Sequence, residues 1–425
     1  MKKVDVIILG AGASGLMCAG NIGKKKSVLI IEGNKKIAKK LRISGGGKCN
    51  ITNISVKNKN FDGDSELIKS VLKQFSNEDL LNFLQRHRVD LELRKEQYFF
   101  CKNSAEDIID ILRKSAKNAN IILGEKIISI TKEGAYFVVQ TDVSRYMAKK
   151  VVVATGGKSF ATLGASDIGL EIAKSFDIKV KEFTPALVGL TVQKEQFWMR
   201  ELSGLSCYVY VKVDDKLLKE EILFTHKGIS GPAILSASLY WRKGQISIDF
   251  LPTKNIIEQV DASKKFLSST LNIPKRLAKA LLKAVQIEDK ECKKLTKEDK
   301  NHLKLLHNYS FSPAGNFGFK KAEVSRGGVI AQELNFATLE SKKEKGLYFI
   351  GEVIDVTGEL GGYNFQWAFS SAYVCAKAIK CVCVCVCVCV CVCHYQSRSL
   401  SRDFCQGLSA LETHPSFITE GVVTR

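Results

Sequence analysis

The chain has 425 residues, is 45% hydrophobic and 25% charged, and carries 64 Lys/Arg against 44 Asp/Glu for a net charge of +20. These values exclude a disordered chain and an integral membrane protein, and the length exceeds one ordinary core, so two or three folding units are expected. The charge is uneven: residues 1–60 hold thirteen Lys/Arg against Asp5 and Glu32, whereas residues 381–425 hold three of each sign. Fifty-one of the basic residues are Lys, which suits the codon bias of an AT-rich genome as well as it suits a face for a polyanion.

At the N-terminus, Met1-Lys2-Lys3 and the apolar run after it imitate a signal peptide, but Asp5 interrupts the run. Bulky Met17 precedes Cys18, unlike a lipoprotein site, and no apolar stretch approaches the roughly 20 residues that span a bilayer. A soluble, cytoplasmic protein is expected. Val4 to Leu9 predicts a strand that ends at Gly10-Ala11-Gly12-Ala13-Ser14-Gly15. A helix from Ser14 to about Gly23 follows, then a strand from Ser27 to Ile31 closed by Glu32. This is a βαβ dinucleotide unit. Gly10 allows the tight turn, Gly12 lets a pyrophosphate approach the backbone, and Gly15 lets helix and strand pack closely. The helix N-terminus favours an anion, and Glu32 is placed to accept from ribose hydroxyls.

That unit alone does not separate NAD from FAD; two later segments favour FAD. Lys149 to Val153 predicts a strand running into Ala154-Thr155-Gly156-Gly157. Gly346 to Ile350 predicts another, stopped by Gly351-Glu352 and leading through Asp355 to Gly361-Gly362-Tyr363-Asn364 and a helix from about Phe365 to Lys380. A ligand touched by both ends of the chain is long. No second GxGxxG marks a separate nicotinamide domain. Between these segments, Leu187 to Phe250 alternates in short β-rich runs, and residues 254–307 turn to helical periodicity with thirteen Lys/Arg against seven acids. That charge reads as a solvated face or as a lobe that grips a polyanion.

The cysteines divide the chain again. Cys18, Cys49, Cys101, Cys207, Cys292 and Cys375 are scattered and form no CxxC pair, which suits a reducing compartment and no metal site. Seven others alternate with valine from Cys381 to Cys393. A thiolate metal tract or a strand with every thiol on one face would account for that run. A TG dinucleotide repeat, read as Cys-Val without selection on the protein, accounts for it better. On that reading residues 381–425 are the Cys-Val repeat and an out-of-frame tail from 394.

Three stretches carry a resemblance. They are Lys40-Leu41-Arg42-Ile43-Ser44-Gly45-Gly46-Gly47-Lys48-Cys49-Asn50-Ile51-Thr52-Asn53, Phe224-Thr225-His226-Lys227-Gly228-Ile229-Ser230-Gly231-Pro232, and Gly351 to Gly358 with Gly361 to Asn364. Their order and spacing resemble the BaiN/RdsA-type flavoproteins along residues 1–380. Lys48 stands where that family usually has Arg, and Ala372 where it usually has Gly. The resemblance implies an α/β fold: a Rossmann-like FAD-binding domain of the glutathione-reductase βαβ type, with a β-rich insert and a helical insert. The expected divisions are 1–186 and 322–380 for the FAD domain, 187–253 for the β-rich insert, 254–310 for the helical insert and 311–321 for the return. Cofactor contacts are expected at Gly10, Gly12, Ala13, Ser14, Gly15, Glu32, Gly33, Lys40, Ser44, Gly45, Gly46, Ile127, Ala154, Thr155, Gly156, Gly351, Glu352, Asp355, Gly361, Gly362, Tyr363 and Asn364.

The implied reaction is saturation of a C=C bond conjugated to a carbonyl, with NAD(P)H as transient reductant and FAD as carrier. The family includes members acting on a large-subunit ribosomal RNA uridine and on unsaturated bile-acid ketones. The positive charge of the body favours ribosomal RNA over a neutral steroid. An amine or aminoacetone oxidase and a non-catalytic RNA-binding flavoprotein are the other readings. Cys49, between the glycines and Asn50 and beside Lys48, is expected to have a lowered pKa and to act as general acid. His226 is the second candidate. Tyr363 and Asn364, at a helix N-terminus, are expected to orient the flavin pyrimidine.

Overall fold

The computed structural model describes residues 2–252 and 255–381. The Cys-Val run after Cys381 and everything beyond it lie outside the described residues. A sheet of seven strands forms the base, in the order Ala119–Leu123, Val28–Glu32, Lys2–Leu9, Arg145–Val153, Tyr136–Thr141 and Ile127–Glu133, with Leu347–Phe349 pairing on Arg145–Val153. Its central strands run parallel, and Val6–Leu9, Leu29–Ile31 and Val151–Val153 are fully buried. Burial on both faces is why these strands read as continuous apolar runs instead of alternating ones.

Register sets where the strands end. Leu9 pairs with both Ile31 and Val153, and Val153 pairs with Phe349. The chain therefore leaves three adjacent strands at one level, at Gly10, Ala154 and Ile350. The helix Ala13–Ile22 follows the first strand, and the helix Tyr363–Cys381 buries Trp367, Phe369, Ala372 and Cys375 in the same core. Residues 64–115 add three capped helices. Asp64 accepts from the Glu66 and Leu67 N–H groups, Ser76 and Asp79 form a reciprocal capping box, and Ser104 accepts from Glu106 N–H.

The second sheet is antiparallel, in the order Tyr309–Phe311, Ile246–Asp249, Ser206–Val213, Lys216–Thr225, Gly228–Ser230, Leu190–Val192 and Pro313–Asn316. The basic helix Lys275–Ala284 turns Leu277, Ala278, Leu281 and Leu282 inward. They join Val209, Val211, Phe224 and Ile248 in one core. Each fully buried leucine stabilises that core by about 1.5–3 kcal/mol. The β-rich and the helical stretches thus bury their apolar faces together. A helix within the β-rich stretch, Pro232–Tyr240, starts on proline and is apolar on nearly every side, so no helical period marks it in the sequence.

Two connections join the cores side by side. Val180–Ala186 runs antiparallel to Val324–Val329, with Ala186 opposite Val324, and Leu187 O accepts from Glu323 N–H at 3.1 Å. Polar contacts close the seam: the Tyr240 hydroxyl donates to Glu359 at 2.7 Å, the Tyr98 hydroxyl donates to Glu220 at 3.0 Å, and Arg242 pairs with Asp62 at 2.7 Å. No helix among the described residues is long and apolar enough to cross a membrane.

Candidate active site

A cavity of about 450 Å³ opens where the parallel strands end, the usual ligand position in such sheets. Its wall begins with the Gly10–Ser14 turn. A Cβ on Gly15 would lie 2.0 Å from Gly10 O, so only glycine lets helix and strand meet there. A Cβ on Gly10 would lie 2.5 Å from Ala154 O, which ties the first turn to the second strand exit. At Gly12 the same atom meets nothing within 4 Å, and Gly12 lines the cavity. The helix that follows has no side-chain cap, so its first N–H groups and its positive pole are left for an anion.

Glu32 closes the next strand and lines the cavity. Its carboxylate accepts from Ala11 N–H at 2.8 Å, Asn34 N–H at 2.9 Å and the Asn34 side-chain amide at 2.7 Å. Lys39 donates to Asn34 Oδ1 at 2.7 Å. Across the cavity, Lys40 pairs with Glu352 at 2.8 Å, and Glu352 also accepts from Ser325 N–H at 2.8 Å. Two buried polar atoms of the wall, Asn50 Oδ1 and Thr155 Oγ1, have no partner among the described residues. Three non-glycine residues of the wall, Ala38, Phe160 and Leu187, hold φ of 54°, 66° and 49°. Left-handed conformations of this kind are held only where the surroundings impose them, and they cluster at ligand sites.

Most expected cofactor contacts converge here: Gly10, Gly12, Ala13, Ser14, Glu32, Lys40, Ser44, Gly45, Gly46, Ala154, Thr155, Gly156, Glu352, Gly361, Gly362 and Asn364 line the cavity. Others do not. Gly15, Gly33 and Gly351 stand behind the wall, and Ile127 begins a strand that the cavity does not reach. Asp355 is paired with Lys181 at 2.6 Å, away from the lining. Tyr363 is buried against Phe61, edge to face at 5.9 Å between ring centres, and burial pushes its phenol up to about 12. Asn364 reaches the cavity, but its amide clamps Gly358, accepting from its N–H and donating to its carbonyl at 2.9 Å each. The Asn364 amide is thus engaged with Gly358, and Tyr363 lies off the cavity lining.

The expected acids also move. Cys49 is fully buried, holds φ of 47°, and does not line the cavity. Burial raises its thiol to about 12, and a hydrogen bond with Ser44 opposes this only in part. Desolvation outweighs any effect of nearby N–H groups or Lys48, so the expected lowering is reversed. His226 is exposed on the turn between Lys216–Thr225 and Gly228–Ser230, where its carbonyl accepts from Arg200 at 2.8 Å, and it too is outside the cavity. Sequence reasoning missed Asn34, Asn50, Phe160, Leu187 and Glu323. Asn50 had a signal, since it closes the glycine stretch; Glu323 had none, because only the return connection brings it to the wall.

The model of the HI0933-like protein Rossmann domain matches residues 4–378. The chain is 36% identical to a Haemophilus influenzae protein named ribosomal RNA dihydrouridine synthase, over 88% of this chain and 98% of the relative. It is 37% identical to an Escherichia coli protein of the same name, over 89% and 98%. A Clostridium scindens 3-dehydro-bile acid delta(4,6)-reductase is 29% identical, over 89% and 99%. With its family matched along almost all the described residues, the chain belongs to the HI0933-like Rossmann-domain family of flavin-dependent oxidoreductases.

Proposed function

We propose that the chain binds FAD in this cavity and, with NAD(P)H as reductant, saturates the C5=C6 bond of a uridine in large-subunit ribosomal RNA. The observation that carries the reading is a single cavity walled by both ends of the described chain, Gly10–Asn50 and Glu352–Ala368, as a long dinucleotide requires. The fit is chemical as well as spatial. The uncapped helix at Gly12 suits a pyrophosphate, Glu32 retains lone pairs for ribose hydroxyls, and the orphaned Asn50 and Thr155 oxygens call for polar ligand atoms. When bound, FAD supplies the hydride chemistry that side chains lack. The chain holds the ligand, sets its orientation through Lys40 and Glu352, and offers the positive end of the helix Tyr363–Cys381 to developing negative charge.

The relatives named for ribosomal RNA and the positive charge of the body favour a polyanionic substrate over a neutral one. The target base has to be unpaired or flipped to enter such a cavity. A ribosomal substrate places the enzyme in the cytoplasm. Purified chain is expected to carry flavin absorbance, and ribosomal RNA from a deletion strain to lack one dihydrouridine. An unchanged modification map overturns the ribosomal RNA reading. The Clostridium scindens relative favours one second reading, a small-molecule enone reductase, which NADPH consumption with a steroid enone would reveal.

A further inference from the structure

With Cys49 and His226 away from the cavity, the proton needed for C=C saturation has no donor among the side chains expected to supply it. Six titratable side chains line the cavity: Glu32, Lys39, Lys40, Glu323, Glu352 and Glu359. No Asp, His, Cys, Tyr or Arg is among them. Five of the six are committed. Lys39 and Lys40 each donate to a neighbour, Asn34 and Glu352. Glu32 accepts from Ala11 and Asn34, Glu352 from Lys40 and Ser325, and Glu359 from the Tyr240 hydroxyl at 2.7 Å and the Asn60 amide at 3.2 Å. These contacts hold the five side chains against the wall.

Glu323 differs. It lines the cavity, is exposed, and its side chain has no hydrogen bond or ion pair among the described residues. Its backbone is fixed on both sides: Ala322 and Val324 are buried, and its N–H donates to Leu187 O, itself on the cavity wall. A fixed backbone with an uncommitted carboxyl on the cavity wall is the arrangement a general acid needs.

We propose that Glu323 is the catalytic acid, delivering the proton that completes C=C saturation. Saturation adds a hydride to one carbon and a proton to its neighbour. The hydride and its electron pair originate in the reduced nicotinamide, so the chain has to supply only the proton. For uracil the hydride enters at C6, the π electrons move to C5, and the Glu323 O–H bond breaks as the C5–H bond forms. The carboxylate that remains takes its next proton from water. Although Glu323 is exposed, the protein packed beside it pushes its carboxyl upward from the usual glutamate value, and Lys40, paired with Glu352, opposes this.

The inference rests on the proposed C=C reduction, and the test separates the two. In the FAD-loaded full chain, Glu323→Gln should leave flavin content and anaerobic flavin reduction by NADPH unchanged. It should slow flavin reoxidation by the uracil-containing RNA about a hundredfold or more. Wild-type rate should fall as pH rises through the Glu323 pKa, because only the protonated acid donates. The Gln variant should lose that limb, and Glu323→Asp should recover part of the rate. Without any substrate, infrared titration should show a protonated-carboxyl band that persists above the usual glutamate range and disappears in Glu323→Gln. A Gln variant with wild-type reoxidation and an unshifted pH profile overturns the assignment, as does a Glu323 band that titrates as an ordinary glutamate. If wild-type chain reduces a steroid enone but no RNA, the RNA reading fails and Glu323 is judged on the enone. If neither substrate reacts, the infrared titration decides.

Discussion

The two glycine-rich loops that wall the cavity, Gly10–Gly15 and Ser44–Asn50, use the same residue for different reasons. In the first, glycine is a matter of space. The missing Cβ atoms of Gly15 and Gly10 are replaced by backbone oxygens 2.0 Å and 2.5 Å away, and the missing Cβ of Gly12 leaves room for a ligand. In the second, Gly46 holds φ of +67° with nothing within 4 Å of its absent Cβ, so glycine is there for its backbone conformation. Gly10 and Gly15 therefore resist any side chain, and so does Gly45 of the second loop, where a Cβ would lie 2.9 Å from Asn50 N, while Gly46 resists only the strain of an L-residue. Similar composition hides different physics, and Cys49 shows the consequence. The second loop turns its thiol into the core and does not present it to the ligand.

Substitutions order this contrast by size. Gly15→Ala should be the most damaging, because the obstructing atom is backbone and cannot give way. A loss of about 3 kcal/mol or more in unfolding free energy, with loss of bound flavin, is expected by thermal or denaturant unfolding. Gly12→Ala should leave the unfolding midpoint unchanged, since its φ of −82° and its open surroundings accept a methyl group. It should still weaken FAD binding about tenfold by placing that methyl in ligand space, a change of about 1.4 kcal/mol measurable by flavin titration. Should both variants lose the same stability, the distinction between packing and access within this loop fails. Gly46→Ala should cost about 1 kcal/mol of stability from conformation alone. A loss as large as that of Gly15→Ala would show that Gly46 is also sterically closed.

The smallest effect on turnover belongs to Cys49→Ala, which should keep the neutral-pH rate. Its informative readout is stability against pH. The folded thiol is raised to about 12 from an ordinary 9, so the unfolded chain ionises first as pH climbs. Stability from this group is complete below pH 9 and is lost progressively as pH rises toward 12. Cys49→Ala should lose less stability than wild type across that window, and an identical slope would show that the thiol is not desolvated.

Much of the fold was legible because its signals are local. The βαβ unit, the strand into Ala154–Gly157 and the final apolar helix each follow from hydrophobic period and turn chemistry within a few residues. The common core of the β-rich and helical stretches was not legible, since period tells which face is apolar but not what it meets. The same limit applied at the site. Asn364 lies at a helix start on the cavity wall, where its spacing puts it, yet its clamp on Gly358 depends on a turn geometry that no spacing encodes.

By itself the sequence determined the βαβ unit after the first strand and the glycine turn that walls the cavity, because strand, glycine turn, helix and terminal acid are one steric unit. It also placed Gly351 to Asn364 as the second contributor to that site. Tertiary structure decided the acid-base groups, because a pKa depends on what surrounds a side chain in three dimensions. Packing against the core removed Cys49 by desolvation and left His226 on an exposed turn. The return connection carried Glu323, far along the chain from Gly10, to the same cavity and gave it no partner. Local sterics shape the glycine turn; only the folded environment sets what surrounds each acidic side chain.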